Sequence, residues 1–323
     1  MKVHLCQPPA ALDVLQAQID PSIELSIGPE IPQPAEYDIL VGGRPSREEF
    51  SASPKLRAVI IPWAGLPGMT RDLLRDFPQV AVHNLHHNAP MTAEMALSLL
   101  LSAAKFILPL DKALRQNDWT PRYQPNPSML LAGKTALILG YGRIGRRVAR
   151  VLQALDMQVL AVRRHAQPGE IGENGVEIHG PEALPRLLPG ADVLMIILPA
   201  TAETEGLIGA EQLAAMPRGS ILVNVGRGPI VDQYALYDAL KSGQLRAAGA
   251  DVWYHYPPDP EECTDVPPAD VPFHELDNFV MSPHRGGMTT DTEPIRMSHL
   301  ANLLNAAARG EEMPNQIDLA LGY

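Results

Sequence analysis

The sequence predicts an α/β protein in two domains, and three observations carry that expectation. Short apolar runs of strand length alternate with helix-like segments along most of the chain. One such run, Ala136 to Leu139, passes through a glycine-rich turn into a helix-like segment, Arg146 to Leu155. At 323 residues the chain is long enough to bury two cores.

Taken in order, Val3 to Cys6, Tyr37 to Val41 and Leu56 to Ile61 read as short buried strands with helical material between them. A helix is expected from about Thr92 to Lys112, where Ala93, Leu97, Leu100 and Leu101 recur near helical spacing. The polar, proline-broken stretch Gln116 to Ser128 reads as a connection. Strands and helices then alternate: Ala136–Leu139, Arg146–Leu155, Gln158–Val162, Val193–Leu198, Ile221–Val225, a helix near Gln233–Lys241, Ala247–Val252 and Phe279–Met281. Continuous apolar runs such as Val193 to Leu198 fit a parallel sheet covered on both faces. The segment Tyr254 to Asp277 differs: it is rich in Pro, Asp and Glu and long for a structureless connection. It reads either as a site-covering or interface element or as an ordinary surface excursion.

Composition narrows the class. Hydrophobic residues make up 46% of the chain and charged residues 20%, which suits a soluble globular protein. Acidic side chains outnumber Lys and Arg by 37 to 26, with no long basic block, so a nucleic-acid partner is not expected. Cys6 and Cys263 cannot make a disulfide framework. No signal-peptide core and no stretch of membrane-spanning length is seen, so no membrane partner and a cytoplasmic location are expected.

The chemistry begins at Leu139 to Gly145. Gly140 suits the tight turn, Gly142 lets backbone approach a pyrophosphate, and Gly145 permits close helix–strand packing. Arg143 and Ile144 sit between them, where a helix start offers unpaired N–H groups to an anion. This predicts dinucleotide binding. Past the next strand, Arg163 and Arg164 occupy the place where an acid would bind a ribose 2′-hydroxyl. Two guanidiniums there suit a 2′-phosphate, so NADP(H) is expected over NAD(H).

Arg227, after the Ile221–Val225 strand, faces the usual ligand crevice and suits a carboxylate; the bland alternative is a local ion pair with Asp232. His284, on a loop after a buried strand, can exchange a proton near neutral pH, or serve as a structural histidine. His83, His86 and His87 are dense, but Cys, Asp and Glu ligands are missing nearby and no metal is expected.

Taken together, the chain resembles the D-isomer-specific 2-hydroxyacid dehydrogenases. The matching blocks are 140–145, 191–204, 206–209, 216–232, Ala235-Leu236, Asp251-Val252, Pro283-His284 and Gly286-Gly287. The resemblance implies two doubly wound, Rossmann-like domains with a cleft between them. Residues 1–98 and 297–323 would form the substrate domain, and 99–296 the nucleotide domain. It also implies a homodimer and a small carboxylate substrate. Arg227 would bind that carboxylate, while His284 passes a proton to or from the 2-oxygen. Asp251, Thr92 and Gly287 would lie toward the nicotinamide end and Pro199 toward adenine. Trp63, Ala64 and Gly65 would form the substrate loop, with Trp63 and Pro67 altering its usual composition.

One departure stands out. Where the family places a Glu that supports the catalytic His, five positions beyond Asp251, this chain has Tyr256. A phenol can orient an imidazole but cannot stabilise imidazolium as a carboxylate does. The expectation is an NADP(H)-preferring reductase of small 2-oxo acids such as glyoxylate or hydroxypyruvate. Two alternatives stay open: a formate-type or other oxidation on the same scaffold, and a nucleotide-binding regulatory protein with little turnover.

Overall fold

The computed structural model describes residues 1–259 and 261–319. Pro260 of the acidic loop and the last four positions of the expected substrate domain lie outside the described residues. The chain divides into two compact units, one made of residues 1–89 with 287–323 and the other of residues 90–286.

The first unit holds a parallel sheet of β1 (Lys2–Leu5), β2 (Glu24–Ile27), β3 (Ile39–Val41), β4 (Ala58–Ile61) and β5 (Ala81–Asn84). Their spatial order, β2-β1-β3-β4-β5, is a doubly wound one. Successive side chains on a strand point to opposite faces. Ile39, Val41, Ala58 and Ile60 accordingly join Val3, Leu5, Leu300 and Leu304 in one cluster, the last two supplied by the helix Thr292–Ala308. Leu40, Val59 and Ile61 join Phe50, Leu74 and Val80 in another. Both faces are covered, as a parallel sheet requires.

The second unit holds seven parallel strands: β6 (Thr135–Leu139), β7 (Gln158–Val162), β8 (Glu177–His179), β9 (Val193–Ile196), β10 (Ser220–Asn224), β11 (Leu245–Ala250) and β12 (Phe279–Met281). Their order is β12-β11-β10-β9-β6-β7-β8. This is the Rossmann arrangement with one further strand, and the order reverses between β6 and β9. Leu137, Leu139, Leu194 and Ile196 face one core and Ala136, Ile138, Val193 and Met195 the other.

Two differences from the sequence reading have clear causes. The helix expected over 92–112 is two helices, Ala89–Lys105 and Ile107–Arg115, because Phe106 adopts a left-handed backbone with φ 53°. The units divide at 89/90 and 286/287, where the sequence suggested 98/99 and 296/297. The reason is packing: Ala93, Ala96, Leu100 and Ala104 seal a face of the seven-stranded sheet, so nearly all of the first helix belongs to the second unit. At Gly249 on β11 an added Cβ would lie 2.9 Å from Leu99 Cβ, which shows how closely helix and sheet approach. No single helix among the described residues is long and apolar enough to cross a membrane.

Candidate active site

At the turn after β6, Gly140 and Gly145 make the close approaches that their spacing suggests. Gly140 has φ 106°, and a Cβ there would sit 2.7 Å from the Ile197 carbonyl oxygen just past β9. Only glycine lets the two strand ends approach at the reversal point. A Cβ on Gly145 would fall 2.0 Å from Gly140 O, so the helix Arg143–Ala154 packs directly on the turn. Gly142 is different. It caps that helix with no side chain, and nothing lies within 4 Å of where its Cβ would be. There is thus open space beside Gly142 at the start of the helix, a cradle that suits a dinucleotide pyrophosphate. Arg143 begins the helix, and Ile144 packs against the core below it.

Beyond β7, the two arginines carry ion pairs the sequence did not reveal. Arg163 meets Glu170 at 2.6 Å and Arg164 meets Glu203 at 2.5 Å. No acid follows β7 directly, yet two carboxylates from later segments reach its arginines. Pro199 sits after β9, and its carbonyl accepts the Thr204 hydroxyl at 2.7 Å. Thr92 is buried on the helix Ala89–Lys105.

Arg227, Asp251, Tyr256 and His284 are brought together in the second unit. Asn224 shapes the turn after β10: its Nδ2 donates to Arg227 O at 2.9 Å and its Oδ1 accepts the Gly226 N–H at 3.0 Å. Arg227 donates to the neighbouring Gly226 carbonyl. It forms no ion pair with a described carboxylate, and Asp232 instead caps the helix Gln233–Lys241 by accepting the Ala235 N–H.

Asp251 anchors the histidine loop. It is 2% exposed, and its carboxylate accepts Ser282 Oγ at 2.6 Å, Arg285 N at 2.8 Å and Gly286 N at 2.7 Å. Trp253 adds a fourth tie through Nε1 to Ser282 O at 2.8 Å. These bonds hold His284 at φ 58°, a left-handed conformation that a non-glycine residue keeps only when its surroundings impose it.

Tyr256 meets His284 directly, Oη to Nδ1 at 2.9 Å. The Trp253 N–H donates to the same phenol oxygen at 3.1 Å. Burial raises the Tyr256 pKa, so the phenol keeps its proton at neutral pH. A phenol proton directed to His284 Nδ1 would place the imidazole's own proton on Nε2. Burial lowers the His284 pKa and the nearby Arg227 charge lowers it further, while Asp251 opposes both. The segment carrying Tyr256 is folded back on its unit: Tyr254 and His255 donate their N–H groups to Pro268 O, and Phe273 enters the core.

Trp63, Ala64, Gly65 and Gly287 belong to the first unit. Trp63 is 38% exposed, with its ring over Gly43, where a Cβ would fall 1.8 Å from it. Ala64 O accepts Asn84 Nδ2 at 2.7 Å, which fixes the start of that loop. Gly287 O accepts the Thr292 hydroxyl. Sequence reasoning missed Ser282, Trp253 and Asn224 as supports. The signal for them was adjacency: Ser282 precedes Pro283-His284, and Asn224 opens the Asn-Val-Gly-Arg-Gly run.

Comparison with known proteins agrees with this geometry. Residues 97–286 match the family model "D-isomer specific 2-hydroxyacid dehydrogenase, NAD binding domain". A D-3-phosphoglycerate dehydrogenase of Mycobacterium leprae is 34% identical over 272 residues, 84% of this chain and 49% of that protein. The chain thus spans about half the length of the first curated relatives it matches. A glyoxylate reductase of Korarchaeum cryptofilum is 34% identical over 284 residues, 84% of this chain and 79% of that one. Among solved structures, a D-isomer specific 2-hydroxyacid dehydrogenase of Xanthobacter autotrophicus, in complex with NADPH and MES, superposes with a TM-score of 0.79. It is 27% identical and covers 100% of this chain and 99% of its own. With a matching family model across more than half of its length, the chain belongs to the D-isomer-specific 2-hydroxyacid dehydrogenase family.

Proposed function

We propose that this protein reduces a small 2-oxo acid, of glyoxylate or hydroxypyruvate type, to the D-2-hydroxy acid, using NADP(H) in preference to NAD(H) and working as a homodimer. The observation that carries the reading is the grouping of Arg227, His284 and Tyr256. Arg227 offers a planar cation with no described carboxylate as ion-pair partner, suited to a substrate carboxylate by paired hydrogen bonds. His284, held in a strained loop, offers Nε2–H toward a 2-oxo group and, once cationic, a proton to the developing alkoxide. The Gly140–Gly145 turn and the helix behind it suit the cofactor's pyrophosphate. A bound nicotinamide supplies the hydride that C2 receives.

The preference for the phosphorylated cofactor is supported by Arg163 and Arg164 at the end of β7. A 2′-phosphate would exchange for Glu170 and Glu203, presenting several charged oxygens to both guanidiniums at once where each now meets one carboxylate. The Xanthobacter relative, crystallised with NADPH, adds support. The test is initial-rate measurement with NADPH and NADH over a panel of 2-oxo acids, alongside nicotinamide fluorescence for binding. Turnover of glyoxylate or hydroxypyruvate with a higher kcat/KM for NADPH is expected. Equal values or an NADH advantage overturn the cofactor assignment, and binding with no turnover on any acid favours a regulatory protein.

A second reading draws on the phenol at His284. A hydrogen bond to the neutral imidazole disfavours the cation, which suits an oxidation that needs no proton relay. Formate is the simplest such substrate. NADP⁺ reduction by formate in the same assay, without turnover of 2-oxo acids, would establish it.

A further inference from the structure

At the C-terminal end of β1, in the unit that does not carry Arg227 and His284, three side chains of different chemistry converge. A ring nitrogen of His4, Sγ of Cys6 and a carboxylate oxygen of Glu49 all lie within 4.8 Å of one another. His4 and Cys6 occupy alternate positions on extended chain and so share a face; the Cys6 N–H continues the ladder to Val41 O. Glu49 comes from the first turn of the helix Arg47–Ala52.

The histidine is oriented as a ligand would be. Ser26 Oγ lies 3.4 Å from Val3 O, to which it can donate, and 3.0 Å from His4 Nδ1. With the hydroxyl proton on Val3 O, the ring proton sits on Nδ1 and Nε2 offers a lone pair. His4 is 1% exposed, and its Nε2 is buried with no hydrogen-bond partner. Buried acceptors are seldom left unpaired in a native fold, and a metal-bound imidazole ordinarily directs its other nitrogen to such a second partner. Space for the sulfur comes from Gly42, where a Cβ would stand 2.7 Å from Sγ. Burial, aided by the hydrogen-bonded Glu49 carboxylate, raises the Cys6 pKa, so the thiol keeps its proton while no cation is bound. Glu49 Oε2 accepts the Ser46 N–H at 2.6 Å, leaving Oε1 for another partner.

We propose that His4 Nε2, Cys6 Sγ and the Glu49 carboxylate form a site for a thiophilic divalent cation of the zinc class, with a fourth position left for water. Binding replaces the S–H bond by a metal–sulfur bond and releases that proton to solvent. Thiolate and carboxylate then neutralise the dication, so the buried cluster carries no net charge. A thiolate and an imidazole select zinc over magnesium or calcium, which take oxygen ligands. Cys6 and Glu49 are only partly buried, which provides an entry path.

The test uses the whole reduced protein, stripped with a chelator, returned to chelator-free buffer and titrated with Co²⁺ and then Zn²⁺. One equivalent of Co²⁺ should bind with an intense thiolate-to-cobalt charge-transfer absorption that Zn²⁺ abolishes, and Zn²⁺ addition should release a proton. Cys6→Ser should remove the absorption and weaken Zn²⁺ binding by at least about tenfold, while Cys263→Ser leaves both unchanged. Circular dichroism checks that Cys6→Ser is folded, and Glu49→Gln gives a second variant with the same expected loss of affinity. Absence of the absorption, its survival in Cys6→Ser, or its loss in Cys263→Ser overturns the proposal.

Discussion

The Tyr256 phenol lies between the Trp253 N–H and His284 Nδ1, and the direction of its own proton sets the tautomer of His284. With that N–H donating to the phenol oxygen, a phenol proton directed to Nδ1 favours the neutral ring. Reduction of a 2-oxo acid consumes the cationic form of His284. Its rate should therefore fall as pH rises through a pKa lying below the ordinary histidine value of about 6.5. Tyr256→Glu places a carboxylate against Nδ1 and should carry that falling limb upward by about 1–3 pH units. An unchanged profile in a folded variant that still binds cofactor would disprove the coupling. Arg227→Ala should lose about 2–5 kcal/mol in kcat/KM for the acid while sparing cofactor affinity, since its proposed partner is the substrate. The same change removes a nearby positive charge and should raise the His284 pKa. If Arg227→Ala turns over the best substrate within about twofold of the parent, the carboxylate role is wrong.

The turn between β6 and the helix Arg143–Ala154 separates two jobs that glycine can do. Gly145 is required by packing, because its Cβ would meet the backbone oxygen of Gly140, which has no room to yield. Gly145→Ala should lower stability by about 1–3 kcal/mol and show a reduced Tm. Gly142 has φ −92° and open space around it, so Gly142→Ala should melt with the parent yet bind NADPH more weakly in a fluorescence titration. A Gly142→Ala variant with full NADPH affinity would remove the pyrophosphate from that cradle. The turn was legible in sequence because close backbone approach leaves a glycine at each contact. Interior strands were legible for a similar reason, since burial on both faces demands unbroken apolar runs. The strands that went unread, β2, β5 and β8, all lie at sheet edges, and β2 and β8 carry exposed or half-buried residues in place of such runs. The helix break at Phe106 carries no glycine or proline at that position to announce it. Of the site, Arg227, His284 and Tyr256 were readable as a pattern. The Arg164–Glu203 pair was not, because it joins residues 39 positions apart through a fold that local spacing does not encode.

Each unit has its own sheet and cores, so a stability change can be assigned to one of them, and acid sensitivity offers a case in the first. His87 is 4% exposed there, with its ring edge toward His299 at 6.5 Å. Burial, then the charges of Arg296, His299 and His86, lower its pKa to about 4. The folded protein thus holds His87 neutral while an unfolded chain protonates it near 6.5. The unfolded state binds more protons between these values, so stability is complete above about pH 6.5 and declines as pH falls toward 4. The loss from this one group is of the order of 1–3 kcal/mol. His87→Gln carries no titrating ring and should narrow the difference in Tm between pH 7 and pH 4.5, measured by calorimetry at fixed ionic strength. His83, whose Nδ1 is bonded to Pro314 O, is also lowered by burial and would retain part of the pH dependence. The two contributions separate in the double variant, since each histidine removes its own share of protons taken up on unfolding. A Tm difference identical in His87→Gln and the parent would mean that the buried ring is already reached by solvent protons in the folded state.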